Sequence, residues 1–272
     1  MPLSRLVVRG VVTILLLYVL ALGGLFLFQR ALFYPAPRSI PAVAAGFEDI
    51  RLKTDDGLVL RAFYRPAAPG LRTLVFFHGN GSSLSGSVYA TRLLAARGYG
   101  LLLPEYRGYG GNPGSPSEQG LYRDGEAALA WLSARGVRSD ELVIIGNSMG
   151  SGVATEIAAR HKVGGLALVS GFASLVRVAG EHFPFLPTSL LVRDRYDNVG
   201  KLGAITCPIL LLHGTADRTV PVGNATALAR AQPAAQLELV PGADHDLIGH
   251  DLAQAKMLAW LRSAVERNPR PS

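Results

Sequence analysis

Ser148 stands between two glycines in Gly146-Asn147-Ser148-Met149-Gly150, where the apolar run 140–146 gives way to a helical pattern over 151–160. A serine turned out of a strand end sits in a tight, strained bend, and side chains at 146 and 150 would crowd it. Its hydroxyl would stand above the sheet edge, where the following helix favours negative charge with its amide dipoles. Glycine and serine are common residues, so the pattern alone leaves an ordinary turn serine open.

A serine hydroxyl attacks carbonyl carbon only when a neighbouring base takes its proton. The chain has six histidines, at 78, 161, 182, 213, 245 and 250. His161 lies at a helix end, His182 in a linker-like segment, and His250 begins the last helical pattern. His245 alone sits in a loop, PGADHDL, directly after the final strand-like run 236–240. The base needs a carboxylate to orient it and to stabilise the imidazolium. Asp217 follows the strand PILLL within HGTADRTVP, again at a carboxyl end, whereas the run ending near Ser170 is followed by SGFASL and offers none. Asp244 and Asp246 adjoin His245 too closely to reach its far ring nitrogen and read as solvated. The expected triad is Ser148, Asp217 and His245, in the chain order of one of the three serine-hydrolase arrangements.

Acyl transfer also needs donors for the oxyanion. The backbone N–H of Met149, next after the serine, is one expected donor, and that of Asn80 in the loop His78-Gly79-Asn80-Gly81 is the other. His78 is expected to brace that loop, and His213, in a second His-Gly pair, to do the same in its own.

These positions require one particular scaffold. Short apolar runs at 71–79, 98–106, 140–146, 163–171 and 207–214 alternate with helical patterns at 84–97, 118–134, 151–160, 223–231 and about 252–265. Strands apolar on both faces and separated by helices mean a mostly parallel sheet with helices on both faces, with function at the carboxyl ends of its strands. Runs 47–53 and 58–64, around Asp55-Asp56-Gly57, read as an antiparallel hairpin at the sheet's edge.

At 272 residues, 49% apolar and 17% charged, the chain can bury one domain's core, which excludes disordered and fibrous classes. The net charge of +7 is spread out and comes mostly from arginine; lysine occurs only at 53, 162, 201 and 256. Without basic–aromatic interleaving, nucleic acid is not an expected partner; an anionic lipid surface accounts more simply for part of the excess. The single cysteine, Cys207, forms no intrachain disulfide and reads as a small buried residue; no metal or cofactor is expected.

Residues 10–28 carry no charge and would span about 28 Å as a helix, close to a bilayer's hydrocarbon thickness. Residues 1–30 are read as a single-pass anchor, with a cleaved signal ending near Ala21-Leu22-Gly23 as the rival; apolar residues 25–28 continue past that site and favour the anchor. Arg5 and Arg9 face Arg30 and Arg38 across the segment, a slight bias toward an amino terminus inside and a domain outside. Residues 31–45, with Phe33 and Tyr34 as an interfacial collar, form a tether. The catalytic domain covers 46–268 and is expected to fold without residues 1–30. Oligomeric state leaves no trace in the sequence.

The segments FFHGNG, EYRGYGGNPGSPSEQGLYRDGEAALAWL, IIGNSMGSGVATEIA and ILLLHGTADRTVPV, with QRALFYPAP after the apolar run, resemble the membrane-anchored α/β-hydrolase-domain serine hydrolases, relatives of prolyl-oligopeptidase-like enzymes. The likeness covers nearly all the chain after about residue 30. It implies an α/β-hydrolase fold with Ser148, Asp217 and His245 as triad and Asn80 and Met149 as amide donors. Two positions depart from that group: Glu105 stands where aspartate is usual, in a capping or loop role, and Asp246 stands where asparagine is common, at the rim of the site.

The stretch between Ser170 and Cys207 is too short for a large cap, so a minimal lid is expected at about 171–206. Phe172, Phe183, Phe185 and Leu186 either line an acyl groove or simply cover the sheet edge. The first expectation for function is hydrolysis of an acyl ester or thioester near the bilayer. Peptidase action on small peptides is the alternative enzyme reading, and a silent hydrolase-fold scaffold the non-enzymatic one.

Overall fold

A computed structural model describes residues 2–265. The long helix α1 (Pro2–Phe33) precedes the sheet, whose strands are β1 (Glu48–Lys53), β2 (Val59–Arg65), β3 (Thr73–Phe77), β4 (Gly100–Pro104), β5 (Leu142–Asn147), β6 (Gly165–Val169), β7 (Ile209–Gly214) and β8 (Gln236–Val240). Helices α2 (Leu84–Ala90), α3 (Arg92–Ala96), α4 (Glu118–Ser133), α5 (Gly150–Arg160), α6 (Leu175–His182), α7 (Thr188–Leu191), α8 (Asn198–Leu202), α9 (Gly223–Ala231) and α10 (Asp251–Trp260) connect or flank the strands.

The eight strands lie in the order β1-β2-β4-β3-β5-β6-β7-β8. The β1–β2 hairpin and its pairing to β4 are antiparallel, and every pairing from β4 through β8 is parallel. β3 through β7 are buried on both faces, and alternate residues feed two cores. Val75, Phe77, Ile144 and Leu168 join Val153 and Ile157 of α5 on one side. Leu74, Phe76, Val143 and Ile145 join Leu94, Met257 and Trp260 on the other. From β3 the chain passes first to β4 and then back to β5 on β3's other side. The carboxyl ends of β3 and β5 therefore open a crevice at a reversal of strand order, where open α/β sheets hold their ligands.

Three expectations differ from this arrangement. The helix expected over 84–97 breaks at Thr91, whose backbone leaves helical geometry (φ −115°, ψ 9°) and whose Oγ1 donates to the Ser87 carbonyl four residues back. The last helix is regular only to Trp260 and widens into a π turn over Leu261–Val265; residues 266–268 of the expected domain lie outside the described residues. The lid is shorter than 171–206, because Tyr196 is fully buried in the core and α8 packs on α5.

The boundary between anchor and domain is also displaced. Tyr34, expected in an interfacial collar, is 4% exposed within the core, and its hydroxyl meets that of Tyr196 at 3.0 Å. Gln29 is buried, donates to the Leu191 carbonyl and accepts from the Arg193 amide, while Arg30 pairs with Asp194 at 3.1 Å. A truncation at residue 30 would remove those contacts, so the domain's packing begins inside the end of α1. Tyr34→Phe leaves the buried Tyr196 hydroxyl without its partner, a loss of about 1–3 kcal/mol. In a domain of this size each kcal/mol lowers Tm by about 2–4 °C, measurable by thermal unfolding of the full chain. An unchanged Tm would remove Tyr34 from the core.

Candidate active site

Ser148 leaves the end of β5 with φ +50°, a conformation that costs a non-glycine residue on the order of 1–3 kcal/mol. Surrounding contacts hold it there: its N–H donates to the Val169 carbonyl of β6, and its carbonyl accepts from Ser151. A methyl group at Gly146 would come within 2.7 Å of the Ser151 Cα, and one at Gly150 would overlap the Phe77 carbonyl. The two glycines allow β5, the bend and α5 to stack against the end of β3.

The structure brings together the three side chains expected to form the triad. His245 Nε2 lies 2.9 Å from Ser148 Oγ, and His245 Nδ1 lies 2.8 Å from Asp217 Oδ2. Because the carboxylate accepts, Nδ1–H donates to it, and Nε2 is left to accept the serine proton. Asp217 Oδ1 accepts the N–H groups of Thr219 (2.9 Å) and Val220 (2.8 Å), fixing the carboxylate plane. Burial opposes ionisation of Asp217, but the hydrogen bonds from His245 and the Val220 amide hold its pKa below the ordinary carboxylate value.

His213, expected to be structural, is buried and donates Nε2–H to the Val220 carbonyl at 2.8 Å, near the same carboxylate. Burial depresses its pKa, so it stays neutral beside Asp217 and braces the loop that delivers the acid. Ser170, at the end of β6, donates its hydroxyl to the His245 carbonyl at 3.2 Å and so supports the base from behind. The sequence offers no periodic or motif signal for that contact, which joins residues 75 positions apart.

Asn80 and Met149 both line the cavity of about 300 Å³ that holds Ser148 and His245. Among the described turns and loops no backbone carbonyl takes the N–H of either residue. The Asn80 side chain is tied down: Nδ2 donates to the Phe33 carbonyl, and Oδ1 accepts from Tyr109 Oη at 2.8 Å. Beneath it His78 is clasped between the Gly79 carbonyl and Glu105, both at 2.8 Å, and Tyr106 Oη donates to the His78 carbonyl. Glu105 also accepts the Leu84 amide at the start of α2. Its fully buried carboxyl thus joins two loops, a larger role than loop capping.

Glu105→Ala would leave His78 Nε2 and the Leu84 amide without partners, at roughly 1–3 kcal/mol for each group. A fall of several degrees in Tm is the expected result, and an unchanged Tm would contradict the bracing role.

The four residues considered for an acyl groove separate. Phe172 is buried and lines the cavity at Ser148 together with Leu175, Val178 and Val220. Phe183, Phe185 and Leu186 do not reach it; they line a neighbouring apolar groove between α1 and the α6–α7 segment. Leu32, Phe33 and Tyr34 were missed as cavity-lining residues, since their apolar and aromatic character suits a membrane collar equally well.

Residues 74–203 match the family described as the alpha/beta hydrolase family. An uncharacterised protein of Mycobacterium tuberculosis is 35% identical over 241 residues, covering 84% of this chain and 85% of that one. Alpha/beta hydrolase domain-containing protein 17B of Homo sapiens is 31% identical over 241 residues, covering 85% and 80%. An esterase of Pyrococcus furiosus shares the fold with a TM-score of 0.68 at 18% identity, covering 85% of this chain and 97% of the esterase. With this sheet, the strained serine bend at its switch point and relatives matched over most of both chains, the chain belongs to the alpha/beta hydrolase family.

Proposed function

We propose that the chain is a membrane-tethered serine hydrolase that cleaves carboxylic esters or thioesters of acyl, lipid-like molecules. The observation that carries this reading is the hydrogen-bonded relay from Asp217 through His245 to Ser148, opening into an apolar cavity.

In the first half-reaction His245 Nε2 accepts the Ser148 proton as Oγ attacks the acyl carbonyl carbon. The carbonyl oxygen becomes an oxyanion held by the Asn80 and Met149 amides beside the amino end of α5. The intermediate collapses, the bond to the alcohol or thiol breaks, and the imidazolium returns its proton to that leaving group. In the second, His245 takes a proton from water, hydroxide attacks the acyl-serine, and the carboxylic acid leaves as Ser148 regains its proton. Asp217 keeps its charge throughout and stabilises the imidazolium in each intermediate.

Apart from His245, no side chain lining the cavity among the described residues is acidic or basic. That favours a neutral acyl group over a peptide whose free amine would need a carboxylate partner. α1 is long and apolar enough to cross a bilayer. Its retention is favoured by the hydrogen bond from Tyr18, which precedes the rival cleavage site, to the Phe185 carbonyl of the folded domain. In this reading the slight basic bias before the apolar run, from Arg5, Arg9 and the terminal amine, puts the amino terminus inside and the catalytic domain outside.

Hydrolysis of p-nitrophenyl acyl esters, the matching thioesters and aminoacyl-anilides by the full chain tests the proposal. Esters or thioesters are expected to be preferred; faster turnover of anilides than of every ester would overturn it.

A further inference from the structure

The cavity at Ser148 and the larger groove are neighbours with a common wall. The groove holds about 600 Å³, a volume typical of a ligand site, between α1 and the α6–α7 segment. Leu32 and Phe33, at the end of α1, line both spaces, so the chain that leaves the membrane helix is also the partition between groove and reacting serine.

The groove's chemistry is that of hydrocarbon. Among the described residues no charged side chain lines it, and its two longest polar side chains are already occupied. Tyr18 Oη donates to the Phe185 carbonyl at 2.9 Å, while Gln29 is held by the Phe26 and Leu191 carbonyls and the Arg193 amide. From Tyr18 to Phe33, at 1.5 Å per residue, α1 runs about 22 Å along this groove. With Phe33 at the membrane surface, Tyr18 would lie near or past the middle of a hydrocarbon layer about 30 Å thick. The segment bonded to Tyr18 would then be immersed too. Its Phe185 and Leu190 are 70% and 80% exposed, apolar surface that suits lipid better than water.

We propose that α1 and the α6–α7 segment together form the acyl-chain site, so that a long fatty-acyl chain passes directly from the bilayer along Leu22 and Leu25 to the Leu32–Phe33 wall while its ester or thioester carbonyl meets Ser148. This deepens the serine hydrolase reading and rests on it. α1 becomes part of the substrate site as well as the tether. The occupant is identified by the Leu32–Phe33 wall that the groove shares with the reacting cavity, by the groove's lack of charge and by the lipid that would surround its outer walls.

The test uses the full chain in phospholipid vesicles with p-nitrophenyl acetate and p-nitrophenyl palmitate. Leu25→Trp fills the groove, whereas Leu27→Trp adds the same bulk at an exposed position that does not line it. Leu25→Trp is expected to lower the ratio of palmitate to acetate kcat/KM at least about 10-fold, and Leu27→Trp to leave the ratio unchanged. An unchanged ratio in Leu25→Trp, or an equal loss in both variants, would overturn the groove as the acyl site. A diazirine-bearing palmitic acid supplies a readout that needs no turnover. Crosslinks confined to the peptides of α1 and residues 183–191, and reduced by Leu25→Trp but not by Leu27→Trp, support the site. Their absence, or crosslinks insensitive to both variants as expected of bulk lipid on the outer surface, overturns it. If wild type hydrolyses neither esters nor the matching thioesters yet these crosslinks form, the serine hydrolase reading fails while the chain-binding groove remains.

Discussion

Replacing Ser148 with alanine is expected to lower kcat by about 10⁵–10⁶-fold on any ester the wild-type chain hydrolyses. The side chain hydrogen-bonds His245, while the N–H and carbonyl that fix the bend belong to the backbone and survive the substitution. Alanine also accepts the same positive φ at a similar cost, so folding should be retained with Tm close to wild type. His245→Ala should be nearly as severe, and the double variant hardly worse than either alone, because one proton relay is lost only once. Kinetics of the two single variants and the double variant on one ester measure this. Multiplicative losses would mean that the two side chains act in separate processes.

Asp217→Asn is the second large effect, expected at about 10⁴-fold in kcat despite a nearly isosteric change. The reasoning lies in who can donate to whom. The Thr219 and Val220 amides can only donate, so they hold the carbonyl oxygen of the new amide where Asp217 Oδ1 now sits. That turns the side-chain NH₂ toward His245 Nδ1. The ring nitrogen facing it must then accept, which moves the imidazole proton to Nε2 and leaves the Ser148 proton without an acceptor.

The same carboxylate links the site to folding. Its folded pKa lies below the ordinary value, so its contribution to stability is present above the carboxylate range, about pH 4, and is lost as pH falls through the depressed folded value. Asp217→Asn should therefore narrow the stability difference between neutral and acid solution, as urea unfolding at both pH values would measure. Wild-type turnover in the asparagine variant would exclude Asp217 as the orienting acid.

The pieces legible in the sequence were those with a local signature. β3, β5, β6 and β7 are short β-branched or leucine runs with no polar face, and Ser148, Asp217 and His245 each follow one strand of the same sheet. Loop position and chain order alone named all three residues that the fold then brings within hydrogen-bonding distance. What escaped depends on contacts that leave no pattern in the chain. Tyr34 meets Tyr196 across 162 residues, and Tyr18 meets the Phe185 carbonyl across 167. An aromatic residue just after an apolar helix has the same local appearance in a membrane collar as in a protein core. Thr91 carries no breaker signal, yet a hydroxyl bonded to the preceding turn divides one helix into two. Glu105 was visible only as a departure from a familiar motif, and its link between His78 and the start of α2 required the folded chain.

Mass spectrometry of the full chain after reaction with a fluorophosphonate probe addresses the central claim most directly. One covalent adduct is expected, on the tryptic peptide containing Ser148, absent in Ser148→Ala and formed orders of magnitude more slowly in His245→Ala. A folded wild-type chain that forms no adduct, or one that carries it on another residue, would contradict the assignment of Ser148 as nucleophile and of His245 as its base.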